Sequence, residues 1–308
     1  MKNEVNIQLI IGILLFTFFI VIALIGPFLA PYDLEHSKKI DYIINSNGEG
    51  QLRASPFPPS KEHIFGTDKW GYDVLTLMLY GAKYTIFTVL LVAFVRVMIG
   101  TTLGIFRGLK SQQSTYKRPK RISLFSGIPV FIIIYFIMVG INIEPVLSPT
   151  SLVIIQATFM ILLGIPGVFN VIFSKTLEIK KKAFVEAART LGGSKLHISL
   201  KHIFPALKVN LLTIFFSECI QVLHIIGQLG IFNLFLGGTE KQYLPTIYLS
   251  ITNEWAGLIG QSRSFLYNAQ WVVIFPLLAY LLFLFSLYAI SSGIGKNMKN
   301  DRRRTNYI

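Results

Sequence analysis

Residues Tyr84–Phe106 read YTIFTVLLVAFVRVMIGTTLGIF, twenty-three positions with a single charge, Arg96. A hydrocarbon core takes about 20 apolar residues of helix to cross, and the run shows none of the period-two alternation of a barrel strand. It is therefore read as a transmembrane helix. Working outward, five more stretches have the same character: Val5–Tyr32, Ile122–Ile143, Pro145–Ser174, Val209–Thr239 (broken only by Glu218) and Ser264–Gly295. The third and fourth are separated by Asn142–Thr150, where Glu144, Pro145 and Pro149 demand a turn, so they are expected to form a tight helical hairpin. The first span is expected to be a retained anchor, since its apolar run is too long for a signal peptide and no small-residue cleavage site closes it. The expected fold class is an all-α integral membrane protein with six transmembrane helices. The composition agrees, with 53% apolar and 14% charged residues over 308 positions. One transmembrane domain is expected over 1–308, with an external segment at 31–83, core helices within 84–295 and a cytoplasmic loop at 175–208.

The +14 net charge would raise the question of nucleic acid in a soluble chain, but here its distribution matters more. The N-terminus, the Arg107–Arg121 loop, the Lys175–Lys208 loop and the tail after Gly295 together hold 20 basic and 4 acidic residues, against 8 and 10 on the opposite side. The positive-inside bias makes the first set cytoplasmic, which places both termini inside. The excess then reports topology and contact with anionic membrane lipids, with no nucleic-acid partner implied.

The loop before the fifth span reads LEIKKKAFVEAARTLGGSKLHISLKHIFPALKVN, Leu177–Asn210. Leu177, Phe184, Ala188 and Leu191 share a helical face, Gly192-Gly193 ends that helix, and Ser194 caps a second one striped by Leu196, Leu200, Ile203 and Leu207. Two short helices would make a compact cytoplasmic knob, or a basic pair lying on lipid headgroups. Glu186-Ala187-Ala188, followed by Gly192 and then Pro205, resembles the EAA loop of ABC-importer permeases, and its place before the penultimate span agrees. That resemblance implies a type I-like permease fold in which the knob docks on a cytoplasmic ATPase. Glu186 and Arg189 would be docking charges, and Gly192 with Gly193 the turn that aims the knob.

A second resemblance lies just before the second span, where HIFGTDKWGYDVLTLMLYGAKYTI is similar to a stretch of the second permease subunit of oligopeptide, dipeptide and nickel importers. His63, Gly66, Thr67, Asp68, Gly71, Asp73, Tyr80, Gly81 and Ala82 match it, while Tyr72 and Lys83 stand in place of arginines. Trp255, Gly257, Trp271 and Pro276 fit the last external loop and final span of that family. The regions KRPKRISLF and SSGIGKNMKNDRRR depart from it, which makes the chain a divergent member. The resemblance implies a bacterial cell-membrane location and a heterodimer with a sister permease. It also implies two ABC ATPase subunits that hold ATP and magnesium, and an external solute-binding protein. Peptides are the implied solute, with nickel or a metallophore as the alternative.

Arg96 and Glu218 are the two ionisable groups at mid-span, and a facing pair is the economical way to bury them. Ser217, Gln221, His224 and Gln228 recur at four, three and four residues and form a polar stripe adjoining Glu218. Three roles stay open for these six residues: lining a translocation pathway, a helix–helix hydrogen-bond network, and a proton relay. The same pair would serve an ion-coupled secondary transporter, and a membrane anchor or sensor would leave the stripe dispensable. Neither rival accounts for the loop.

No catalytic site is expected. Ser262 lacks the surroundings of a nucleophile elbow, no phosphate-cradling G-x-x-x-x-G-K-[ST] occurs, and His224 has no second ligand at metal spacing. His197 and His202 read as surface residues. The lone cysteine, Cys219, excludes an internal disulfide. Asp73–Tyr84 reads as a short interfacial helix, and 33–62 as loop.

Overall fold

The computed structural model describes residues 6–44, 50–111 and 127–305. Five helices in it are long and apolar enough to cross a membrane: α1 (Ile7–Leu29), α2 (Val74–Lys110), α4 (Pro149–Lys180), α7 (Phe204–Ile231) and α9 (Trp271–Thr305). The shorter α3 spans Val130–Asn142. Its 13 residues reach only ~20 Å at 1.5 Å per residue. The first residues of the expected third span and most of the basic loop before it lie outside the described residues.

Small residues set how closely the helices approach. Gly100, Gly104 and Gly108 recur every four positions and so share one face of α2. A Cβ on any of them would fall within 2.8 Å of Val168, Ile172 or Thr176 of α4. The pairing advances by the same step on both helices, so α2 and α4 run parallel. Gly12 and Gly293 do the same for α1 against α9, which run antiparallel. Phe19, Ile86, Val89, Met160, Leu223 and Phe283 fill the centre of the bundle.

One end of the bundle carries α8 (Trp255–Ser262) and two antiparallel hairpins, β1–β2 (Ile40–Ile44 with Gly50–Ala54) and β3–β4 (Thr239–Tyr243 with Thr246–Ser250). The other end carries α5 (Ala183–Thr190) and α6 (Lys195–Ile198), followed by a π-helical turn at Ser199–Ile203 that runs without a break into α7.

Three boundaries correct the sequence expectation. The fifth span stops at Ile231 rather than Thr239, because Asn233 takes positive φ and Leu234 N–H donates back to the Leu229 carbonyl; Gly237 and Gly238, also at positive φ, then turn the chain into β3. The sixth begins at Trp271, since Arg263–Phe265 is a separate 3-10 turn. The interfacial helix expected over Asp73–Tyr84 is instead the buried first part of α2. Val74, Leu77 and Met78 there pack on Leu258, Ala269 and Val272, and Gly81 admits the Asn253 carbonyl. Segment 33–62 is also more than loop, because it contains the β1–β2 hairpin.

Candidate functional site

Arg96 and Glu218 meet at the centre of the bundle. Arg96 Nη1 donates to Glu218 Oε2 at 3.0 Å, and Arg96 Nε and Nη2 both donate to the Met160 carbonyl at 3.0 and 2.6 Å. The arginine is 1% exposed and the glutamate 6%. Three helices, α2, α4 and α7, are thus tied by one guanidinium. Gly164 provides the space, since a Cβ there would collide with Arg96.

The polar stripe goes elsewhere. Ser217 lies 100° round α7 from Glu218, and Gln221, His224 and Gln228 cluster near Ser217. Those three are exposed, with no hydrogen-bond partner among the described residues, while half-buried Ser217 donates to the Thr213 carbonyl. The six residues grouped by sequence spacing therefore form two features: a buried inter-helix tie and an uncovered polar face.

At the opposite end, Gly192 takes φ +81, a conformation that costs any residue with a Cβ. Gly193 N–H donates to the Ala188 carbonyl, closing α5, and Ser194 Oγ accepts from His197 N–H to open α6. Glu186, Ala187, Ala188 and Arg189 all lie on α5, and Pro205 sits in the first turn of α7, where its missing N–H costs nothing. Val185, Ile198, Ile203 and Leu207 are buried against Ile105, Val168, Ile172 and Ile179, which seats the knob on the ends of α2 and α4. This corrects part of the expected anchor stripe, for Ile203 and Leu207 are buried and Ala188 packs beside them, while Leu191, Leu196 and Leu200 are 88%, 70% and 59% exposed. The Gly192 turn and the π-helical turn shift the register that an uninterrupted 3.6-residue period assumes.

The Gly66–Asp73 stretch folds on itself at the hairpin end. Gly66 and Gly71 have positive φ, and Thr67 pairs with Asp73 in an antiparallel bridge. Asp68 accepts from the N–H groups of Trp70 and Tyr72, and burial pushes its carboxyl up to about 7. Asp73 caps α2 by accepting from Thr76 N–H and Oγ1, and its other oxygen lies 3.0 Å from His63 Nδ1. Trp271 Nε1 donates to the Thr67 carbonyl, so the stretch is clamped to the start of α9.

Residues 100–300 match the family described as the binding-protein-dependent transport system inner membrane component. The chain belongs to that family. It is a permease component of a bacterial ABC import system and a multi-pass membrane protein. It is 28% identical over 241 residues to a putative peptide transport system permease protein of Brucella suis, covering 77% of this chain and 73% of that one. It is 27% identical over 279 residues to a glutathione transport system permease protein of Escherichia coli, covering 89% and 80%. A dipeptide transport system permease protein of Bacillus subtilis is 28% identical over 194 residues, 63% of this chain and 54% of that one.

Two parts of the permease escaped sequence reasoning. The β3–β4 hairpin is held by Thr239, whose Oγ1 contacts Asn142 Oδ1 and accepts from Phe235 N–H. The signal was present in Gly237-Gly238 and the alternation TIYLS, but the apolar run of α7 masked it. Glu254 is completely buried as the N-cap of α8, accepting from Ala256 N–H, and burial pushes it up to about 7. Between this region and the Asp68 loop lies a cavity of about 400 Å³ lined by Trp70, Glu240, Gln242 and Gln261.

Proposed function

We propose that the permease forms half of a translocation pathway for peptides, with six spans, both termini cytoplasmic and the Lys175–Lys208 loop as the docking knob for an ABC ATPase. One observation carries the coupling: the helical path from Lys195 through the π-turn to Ile231 is continuous. It bears part of the knob at one end and, along its length, the polar stripe of half-buried Ser217 and exposed Gln221, His224 and Gln228. A push on the knob moves the stripe with it. Polar groups at span depth that no helix of the same chain covers suit a path for a solute rich in amides. ATP and magnesium would bind on two partner ATPases, a sister permease would supply the other half of the path, and an external binding protein would deliver solute. The names of the relatives, which specify peptide, dipeptide and glutathione transport, support a peptide over nickel.

The test is affinity purification of the tagged permease in mild detergent, with uptake of a labelled dipeptide and tripeptide measured in the same strain. Co-purification of an ATPase and a second permease, lost on Gly192→Val or Glu186→Lys, together with peptide uptake that depends on the chain, is expected. Recovery of the chain alone from a preparation that preserves other membrane complexes would overturn the coupling, and uptake indifferent to its deletion would overturn the substrate.

A further inference from the structure

Where the knob meets the end of α2, two cavities adjoin. The first, about 430 Å³, is walled by Lys110, Lys180, Arg189 and Lys195, with Glu186 the one acid in its lining. Lys180 Nζ is turned onto the Leu109 and Ser111 carbonyls at 3.1 and 2.8 Å, neutralising the exposed end of α2. None of the four cations, nor Glu186, is in an ion pair among the described residues. The remaining cations therefore converge on a space with no counter-charge of their own beyond that single glutamate.

The second cavity, about 500 Å³, shares Leu109, Lys110 and Lys195 with the first and is lined mostly by apolar side chains, with Thr101, Thr102 and Ser199 its uncharged polar residues. Ile105 and Phe106 form one wall, Leu196, Leu200 and Phe204 the other. Phe106, Leu196 and Leu200 are more than half exposed, so the rest of the chain leaves the slot uncovered. The slot extends along α2 from Lys110 to Thr101, ~13 Å at 1.5 Å per residue, close to the depth of one leaflet's hydrocarbon. Lys110 Nζ lies 4.1 Å from the centroid of the Phe106 ring, so the cation marks the point where basic pocket becomes apolar slot.

We propose that this pair of cavities holds one anionic phospholipid, its phosphate among Lys110, Arg189 and Lys195 and one acyl chain in the slot between α2 and the knob. A compact anion joined to a hydrocarbon chain accounts for both cavities and for their shared residues. An inorganic phosphate leaves the slot unexplained, and an acidic segment of a partner protein leaves a groove at span depth empty. The lipid would brace the knob against α2, so the composition of the leaflet would set how firmly the knob is held. The site requires that the knob end meet a membrane surface, and it stands whether or not the chain imports peptides.

The full-length permease, purified in mild detergent after equilibration with phosphatidylglycerol or phosphatidylcholine, is to be assayed by native mass spectrometry for retained lipid. One phosphatidylglycerol per chain and no comparable phosphatidylcholine is expected. Lys110→Ala with Lys195→Ala should lower retention by about tenfold, each basic residue near an anionic headgroup contributing a few-fold. Lys110→Arg with Lys195→Arg should retain it, which separates lost charge from lost folding. Leu200→Trp, at a half-exposed position, should expel the chain from the slot, whereas Lys201→Ala, a neighbouring cation outside both linings, should change nothing. Equal retention of the two lipids would overturn the proposal. So would an equal loss on Lys201→Ala, full retention in Leu200→Trp, or displacement of phosphatidylglycerol by an acidic segment of a co-purified ATPase. Displacement by inorganic phosphate alone would mark the basic pocket as a simple anion site and overturn it too. Loss of lipid with peptide uptake intact would leave the import reading standing, and the reverse would leave the lipid site standing.

Discussion

The guanidinium of Arg96 occupies the space that a side chain at position 164 would fill, and position 164 is glycine. The arginine reaches the Met160 carbonyl and Glu218 through that gap. Gly164→Ala should displace it, and Gly164→Leu should leave both the glutamate and the carbonyl without their donor. Breaking one side of a buried ion pair costs about 3–5 kcal/mol. The larger substitution is therefore expected to lower the apparent melting midpoint of the detergent-purified protein by several degrees, with the alanine intermediate. Equal midpoints for all three would show that the gap has no bearing on stability.

Arg96→Met and Glu218→Leu should each destabilise by about 3 kcal/mol or more, whereas the double substitution should cost less than the sum, because no buried charge is left unpaired. A double-mutant cycle on thermal unfolding reads the coupling directly, and additive effects would mean that the pair is not energetically linked.

The uncovered stripe should behave in the opposite way. Alanine at Gln221, His224 and Gln228 removes groups with no partner among the described residues, so the stability read from thermal unfolding should stay within about 0.5 kcal/mol of the parent. Peptide uptake should fall several-fold if these groups meet the solute. Normal uptake at normal expression would remove the stripe from the pathway.

Asp68 predicts a pH dependence. Its folded value, about 7 against 3.8 in an unconstrained chain, means that the folded state binds the proton more tightly. Stability from this group is present at low pH and lost as pH rises from about 4 to about 7, by at most about 4 kcal/mol. Asp68→Asn keeps an oxygen to accept from Trp70 and Tyr72 but does not titrate. Its unfolding midpoint should therefore decline less than the parent's between pH 5 and 8. Parallel pH profiles would place the proton elsewhere, with Glu254, also near 7, the next group to substitute.

Gly192→Val forces a β-branched residue into φ +81, at a cost of 1–2 kcal/mol or more confined to the knob. Protein level in the membrane should hold while ATPase recovery and uptake fall. Unchanged ATPase recovery would free the knob's aim from this turn.

The spans were legible because lipid permits so few solutions. A run such as Tyr84–Phe106 has to be helix, and its single arginine has to find Glu218. The knob's Gly192 turn and Ser194 cap were legible for a similar reason, since each is a local rule of backbone geometry. What stayed hidden depended on contacts made across the chain. Val185 rather than Leu191 anchors the knob because the ends of α2 and α4 dictate which face is covered. The start of α2 is buried rather than interfacial because Trp255, bonded to the Met78 carbonyl and Thr85, lays α8 across it. No periodicity within Asp73–Tyr84 could report a partner some 170 residues away.

The glycine ladder has one more consequence. With Gly100, Gly104 and Gly108 seated against Val168, Ile172 and Thr176, α2 and α4 have no slack in which to slide or bend separately. Together they make a stiff double rod ~55 Å long on its α2 side. At one end the rod grows out of the Asp73 cap and the folded Asp68 loop; at the other, α4 passes through only Lys181 and Lys182 before the knob begins. A force applied at either extremity is therefore delivered to the far face of the membrane as displacement, with little lost in deformation on the way.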